Sequence, residues 1–119
     1  MKRLVLAVLA VLALAGCSSG SHQATPAGPP TAQSIASKAG CTGWRADTAP
    51  LALYVSQSGT CLLNGAEITV DVFKDNAMRD RWLATAAAFG GAFGHGDRWA
   101  ISGADANAVH AGALAAGGK

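Results

Sequence analysis

The sequence predicts an α+β fold, a small two-layer sandwich in which helices cover one face of an antiparallel sheet. Three observations lead there. Asn64-Gly65 lies between two apolar-rich runs, and both residues accept the positive φ that a two-residue type I′ hairpin demands. From Asp75 the apolar spacing changes from period two to the helical period. A short strand pattern then returns at Arg98–Ser102, so a strand-helix-strand crossover stands beside a hairpin, the signature of segregated helices on a sheet.

Each element has a local cause. Thr31 can accept hydrogen bonds at the start of a helix running to about Ala39, with Ile35 and Ala39 inward and Gly40 as its stop. Leu51, Leu53 and Val55 alternate with Ala52 and Tyr54, which predicts a half-buried strand. The Asn64-Gly65 turn sets Leu63 opposite Ala66 and Cys61 opposite Ile68. Val70 and Val72 then continue the inner face, while Glu67, Thr69 and Asp71 point outward. Asp75 or Asn76 caps the next helix, whose stripe Met78, Trp82, Ala86 and Phe89 is assigned to the core, and Gly90-Gly91 ends it. In the following strand Trp99 and Ile101 face inward, and the alanine-rich stretch Ala104–Ala116 predicts a last helix.

The N-terminus has a different character. Met1-Lys2-Arg3 is followed by an uncharged Leu, Val and Ala run to Leu14, which is short of the roughly 20 residues a spanning helix needs. The run closes on Leu14-Ala15-Gly16-Cys17, which resembles the lipobox of bacterial lipoprotein precursors. That resemblance implies removal of residues 1–16, lipidation of Cys17 and a position at the cell membrane, on its extracytoplasmic face. It also changes the charge. Nine Lys and Arg face seven Asp and Glu, but Lys2 and Arg3 leave with the leader, so seven of each sign remain. A nucleic-acid partner, which calls for a basic patch, is not expected. Residues 17–30 are read as the lipidated start and a small, polar tether punctuated by Gly and Pro, without Asp, Glu, Lys or Arg. As a coil it would hold the folded part on the order of 20 Å from the bilayer. The folded part is one domain, residues 31–119. With Cys17 lipidated in an oxidising compartment, Cys41 and Cys61 remain as an even pair and are expected to form a disulfide, worth roughly 3 kcal/mol by loop closure.

A second resemblance covers about residues 35 to 102. The residues Cys41, Gly59-Thr60-Cys61, Ile68, Val70, Phe73, Arg79-Asp80, Trp82-Leu83, Phe89-Gly90-Gly91 and Gly96-Asp97-Arg98-Trp99 look like those of small lipoproteins of high-GC actinobacteria. This resemblance implies location and fold and carries no site residues.

Candidate chemistry is sparse. The glycines between Phe89 and Trp99 follow a helix rather than open one, so no phosphate loop is expected there, only a helix stop and a flexible connection. His95 and Asp97 could serve as base and orienter for Ser56 or Ser58, and His95 and His110 with Asp97 or Asp105 could approach a metal. Neither set has the spacing of a known site. No cofactor and no metal are expected, and His22 is read as solvated. Trp82 and Trp99 are assigned to the core, leaving Trp44 and Tyr54 as an aromatic anchor for a partner. The reading is a non-enzymatic binding domain that meets an envelope protein or a small ligand. The alternative is a small envelope hydrolase or metal-dependent enzyme using the His95/Asp97 loop.

Overall fold

The structure, a computed structural model, describes residues 30–49, 51 and 53–119. Residues 1–29, and with them the expected leader, Cys17, His22 and most of the expected tether, lie outside the described residues. Along the chain run α1 (Ala32–Ala39), β1 (Thr42–Ala46), β2 (Val55–Leu63), β3 (Ala66–Phe73), α2 (Asn76–Ala86), β4 (Ala92–Gly96), β5 (Trp99–Gly103) and α3 (Ala106–Ala115). The five strands form one sheet in the order β1-β2-β3-β5-β4, every neighbouring pair antiparallel. β3 and β4 therefore run parallel, two places apart, with α2 as the crossover between them. The α+β class, the antiparallel sheet and the crossover are as expected.

The strongest local signals work as their chemistry requires. Thr31 caps α1 by accepting from the Ser34 amide, and Gly40 closes it at φ 88°. Asn64 and Gly65 take φ 53° and 82°, and the hairpin pairs Leu63 with Ala66 and Cys61 with Ile68. Ile68, Val70, Val72, Trp99 and Ile101 then line one sheet face with Cys61 and Leu63. Over that face lie Ile35, Ala36 and Ala39 of α1 and Ala108, Val109 and Ala113 of α3. Cys41 and Cys61 form a disulfide, Cα–Cα 5.7 Å, that pins the end of α1 to β2.

Four expectations are corrected. Leu51, Leu53 and Tyr54 are not strand: Tyr54 takes φ 77°, which breaks the extended backbone, and β2 begins only at Val55. Residues 92–96 are not a flexible connection but β4, paired along its length with β5. Its glycines are there for space, since a Cβ on Gly94 would run into Ala113, and one on Gly96 into the Trp99 indole. The helices do not all share one face. β3 alternates, so Phe73 projects opposite to Val72, and it meets Trp82 of α2 at 5.5 Å between ring centroids. Trp82 in turn meets Phe93 edge-on at 6.0 Å. α2 thus takes the face that α1 and α3 leave, because theirs is already filled. Asp71 does point away from Val70 and Val72, but that outer face is itself covered there, and the residue is only 6% exposed.

Candidate functional site

The stripe on α2 assigned to the core is only partly used by it. No residue of α2 is fully buried. Asp75 starts the helix by accepting from the Met78 amide at 2.9 Å, and Trp82 leans its ring between Phe73 and Phe93. One turn further on, beyond the sheet contacts, the same helical face stays open. Together with the segment before β2 it walls an apolar groove of 370 Å³ lined by Leu53, Tyr54, Trp82, Thr85, Ala86 and Phe89. Leu53 is 74% exposed and Phe89 is 86% exposed. Large side chains this bare, next to one another and beside two aromatic rings, make an exposed apolar patch on the domain.

The two aromatic residues singled out in the sequence are separated. Tyr54 lines this groove. Trp44 lies on the other face, half-buried against the core and stacked over Gly59, where a Cβ would collide with its indole. It lines a different cleft, of 390 Å³, with Thr31, Leu51, Gln57 and Ser58. The two residues do not make a common anchor. Leu53 and Phe89 were missed because the alternation around Leu53 and the helical spacing of Phe89 are also what core positions look like.

His95 and Asp97 do share a pocket, of 410 Å³, with Arg79, Gly96 and residues 117–119. It is polar and held by backbone contacts. His95 exchanges both amide bonds with Lys119, at 2.8 and 2.9 Å. The Arg79 guanidinium donates to the Gly96 carbonyl and pairs with Asp80 at 2.8 Å. Burial lowers the His95 pKa, and the neighbouring Arg79 and Lys119 cations push it the same way against a weaker pull from Asp80. Asp97 is lowered mainly by the hydrogen bond it accepts from the Asn76 amide, with Arg98 adding to it. No serine lines this pocket: Ser56 and Ser58 sit in the cleft with Trp44. His110 and Asp105 are exposed at α3, away from it. Among the described residues no three His, Cys, Asp or Glu side chains group closely enough to hold a metal ion.

Among the described residues Asp71 is the buried polar side chain. Burial raises its pKa, Ser58 partly offsets this through a hydrogen bond, and Asp47 adds like-charge repulsion. Among the described residues no helix is long and apolar enough to cross a membrane. No protein-family model, no curated protein and no solved structure matches the chain.

Proposed function

We propose that this chain is a lipid-anchored extracytoplasmic domain that works by binding rather than by catalysis, and that its binding surface is the groove between Leu53-Tyr54 and α2. One observation carries the binding part: Leu53 and Phe89, 74% and 86% exposed, flank Trp82 and Tyr54 on an open apolar wall. Leaving that much apolar surface in water is unfavourable, and covering it is favourable in proportion to the area removed. Tyr54 adds a second support. A bulky residue at φ 77° is uncommon and costs energy locally, and such conformations gather at functional segments. The anchoring part rests on the sequence from Met1 to Cys17, and the balanced charge of the remaining chain suits an apolar contact better than a polyanionic one.

Two measurements test the reading separately. Cys17→Ala should leave the protein unprocessed or released; normal anchoring of that variant overturns the lipoprotein part. A photo-crosslinking residue at Thr85, inside the groove, should give an adduct of defined mass in intact cells. That adduct should vanish when Leu53→Ser and Phe89→Ser are added, with the thermal midpoint unchanged. A cell sample without adducts, or adducts indifferent to the double substitution, overturns the groove.

A further inference from the structure

We infer that the groove docks on the bilayer surface itself, with Leu53 and Phe89 entering the acyl boundary and Trp82, Tyr54 and Arg81 at headgroup depth. The inference rests on the lipid-anchored reading above and names the partner of that groove.

The place where the tether meets the domain is the first argument. The Ala32 amide donates to Gln57 Oε1 at 2.9 Å, so the chain entering α1 is fastened to the start of β2. Thr31 and Ala32 share their cleft with Leu51, Ser56 and Gln57. Leu51 stands two residues before Leu53, and Ser56 two residues after Tyr54. The described chain therefore starts in the cleft that also holds Trp44, across the sheet from the groove, and Leu51 links that cleft to the Leu53-Tyr54 wall within two residues, well inside the reach of the tether. Residues 18–30 span at most about 45 Å when fully extended and on the order of 20 Å as a coil. An anchored domain thus meets the membrane as an intramolecular partner, at an effective concentration in the millimolar range for so short a connection. A weak interfacial contact suffices under those conditions.

Shape and composition are the second argument. A pocket for a compact ligand hides its largest apolar side chains inside the concavity. Here Leu53 and Phe89 stand largely in solvent, while the larger Trp82 and Tyr54 rings are half-buried behind them. Leu and Phe at the tip, with Trp and Tyr set back, reproduce the depth order of an interfacial surface, in which amphipathic rings settle at the headgroups. Arg81 precedes Trp82 on the flank of the same helical face, is exposed, and makes no ion pair among the described residues. A free guanidinium at that position complements anionic headgroups.

The test uses the full lipidated protein in vesicles of phosphatidylcholine and phosphatidylglycerol that carry bromine at the glycerol end of the acyl chains, where a contact quencher meets an indole at headgroup depth. Trp99 is buried and Trp44 is half-buried against the core, so the Trp82 contribution is read as the difference from Trp82→Phe. The expected result is loss of most of the Trp82 emission, judged against Trp82→Phe, and recovery of that emission in Leu53→Ser/Phe89→Ser. Both of those side chains are largely exposed, so the double variant should keep its fold, which the thermal midpoint checks. Unquenched Trp82 in protein that floats with the vesicles overturns docking and leaves the anchor standing. Protein recovered without lipid on Cys17 overturns the anchor and docking with it. Trp82 shielded without bromine quenching, together with concentration-dependent dimers, overturns docking in favour of a second copy of the chain.

Discussion

Gly94 of β4 and Ala113 of α3 face each other with no room for a methyl group between them. A Cβ on Gly94 would overlap the Ala113 Cβ and come within 3.2 Å of the Lys119 carbonyl oxygen. This contact lets α3 lie flat on the sheet edge and lets Lys119 pair with His95. Gly94→Ala should therefore destabilise by about 1–3 kcal/mol, the range for overpacking a closed site. Adding Ala113→Gly should return part of the loss, since it clears the nearest clash, although glycine inside a helix costs up to about 1 kcal/mol. Urea unfolding of the two single variants and the double variant would show this as a non-additive cycle. Additive losses would mean that the two residues do not touch.

The disulfide gives a second prediction. Cys41 and Cys61 are 20 residues apart and tie the C-terminal end of α1 to the buried face of β2. In a domain this small the covalent link supplies a large share of the stability. Replacing both residues with Ala should cost roughly 3 kcal/mol. Reductant should lower the unfolding midpoint of the native protein toward that of the variant and leave the variant itself unmoved. Equal midpoints with and without reductant in the native protein would contradict it.

What could be read from the sequence follows from how local each cause is. Thr31, Gly40 and the Asn64-Gly65 pair act on their own backbone within a few residues, so their elements and the Cys61–Ile68 register were legible in advance. β1 was not, because Thr42–Ala46 is an exposed edge strand with an irregularity between Thr42 and Arg45 and no apolar alternation. β4 was hidden for a related reason. Its glycines argue against a strand until one knows that Ala113 and Trp99 occupy the space their side chains would need. The candidate site was half legible. Tyr54 is legible as a candidate aromatic anchor, but Phe89 and Leu53 carry core-like spacing. Only the filling of the other sheet face by α1 and α3 decides that their face stays open.

Asp71 separates the cost of charge from the cost of burial. The residue sits in the centre of β3, paired with Ser58 and Ala100 across the sheet. Burial and Asp47 raise its pKa above the ordinary 3.8, more than the Ser58 hydrogen bond lowers it. The folded state thus binds this proton more tightly than the unfolded chain. The carboxylate is a liability at neutral pH, and the liability fades as pH falls through the raised pKa. Asp71→Asn keeps the shape and a hydrogen-bonding group for Ser58 while removing the charge. It should stabilise at pH 7 by on the order of 1 kcal/mol, and the gain should shrink on acidification. Thermal unfolding at several pH values would show the two curves converging. A constant gap, or a less stable variant at pH 7, would mean that the charged form makes compensating contacts.

Asp97 titrates in the opposite sense, and the reason is Asn76. The Asn76 side chain bridges the turn between β4 and β5: its amide donates to Asp97 Oδ1 at 2.9 Å, and its oxygen accepts from the Arg98 amide at 2.7 Å. Arg98 takes φ 66°, so this acceptor also holds a backbone conformation that a non-glycine residue enters reluctantly. The hydrogen bond from Asn76 is the main cause of the lowered Asp97 pKa. A depressed pKa contributes stability above the unfolded value of 3.8, and that contribution is lost as pH falls through the folded value. Asn76→Ala should therefore return the Asp97 pKa toward 3.8, readable from carboxyl chemical shifts across an acid titration. It should also loosen the turn, seen as faster amide exchange at Arg98, while the Leu53–Phe89 groove on the far stretch of α2 keeps its Trp82 emission. An unchanged Asp97 titration in Asn76→Ala would assign the shift to Arg98 instead, and Arg98→Gln would then have to reproduce it.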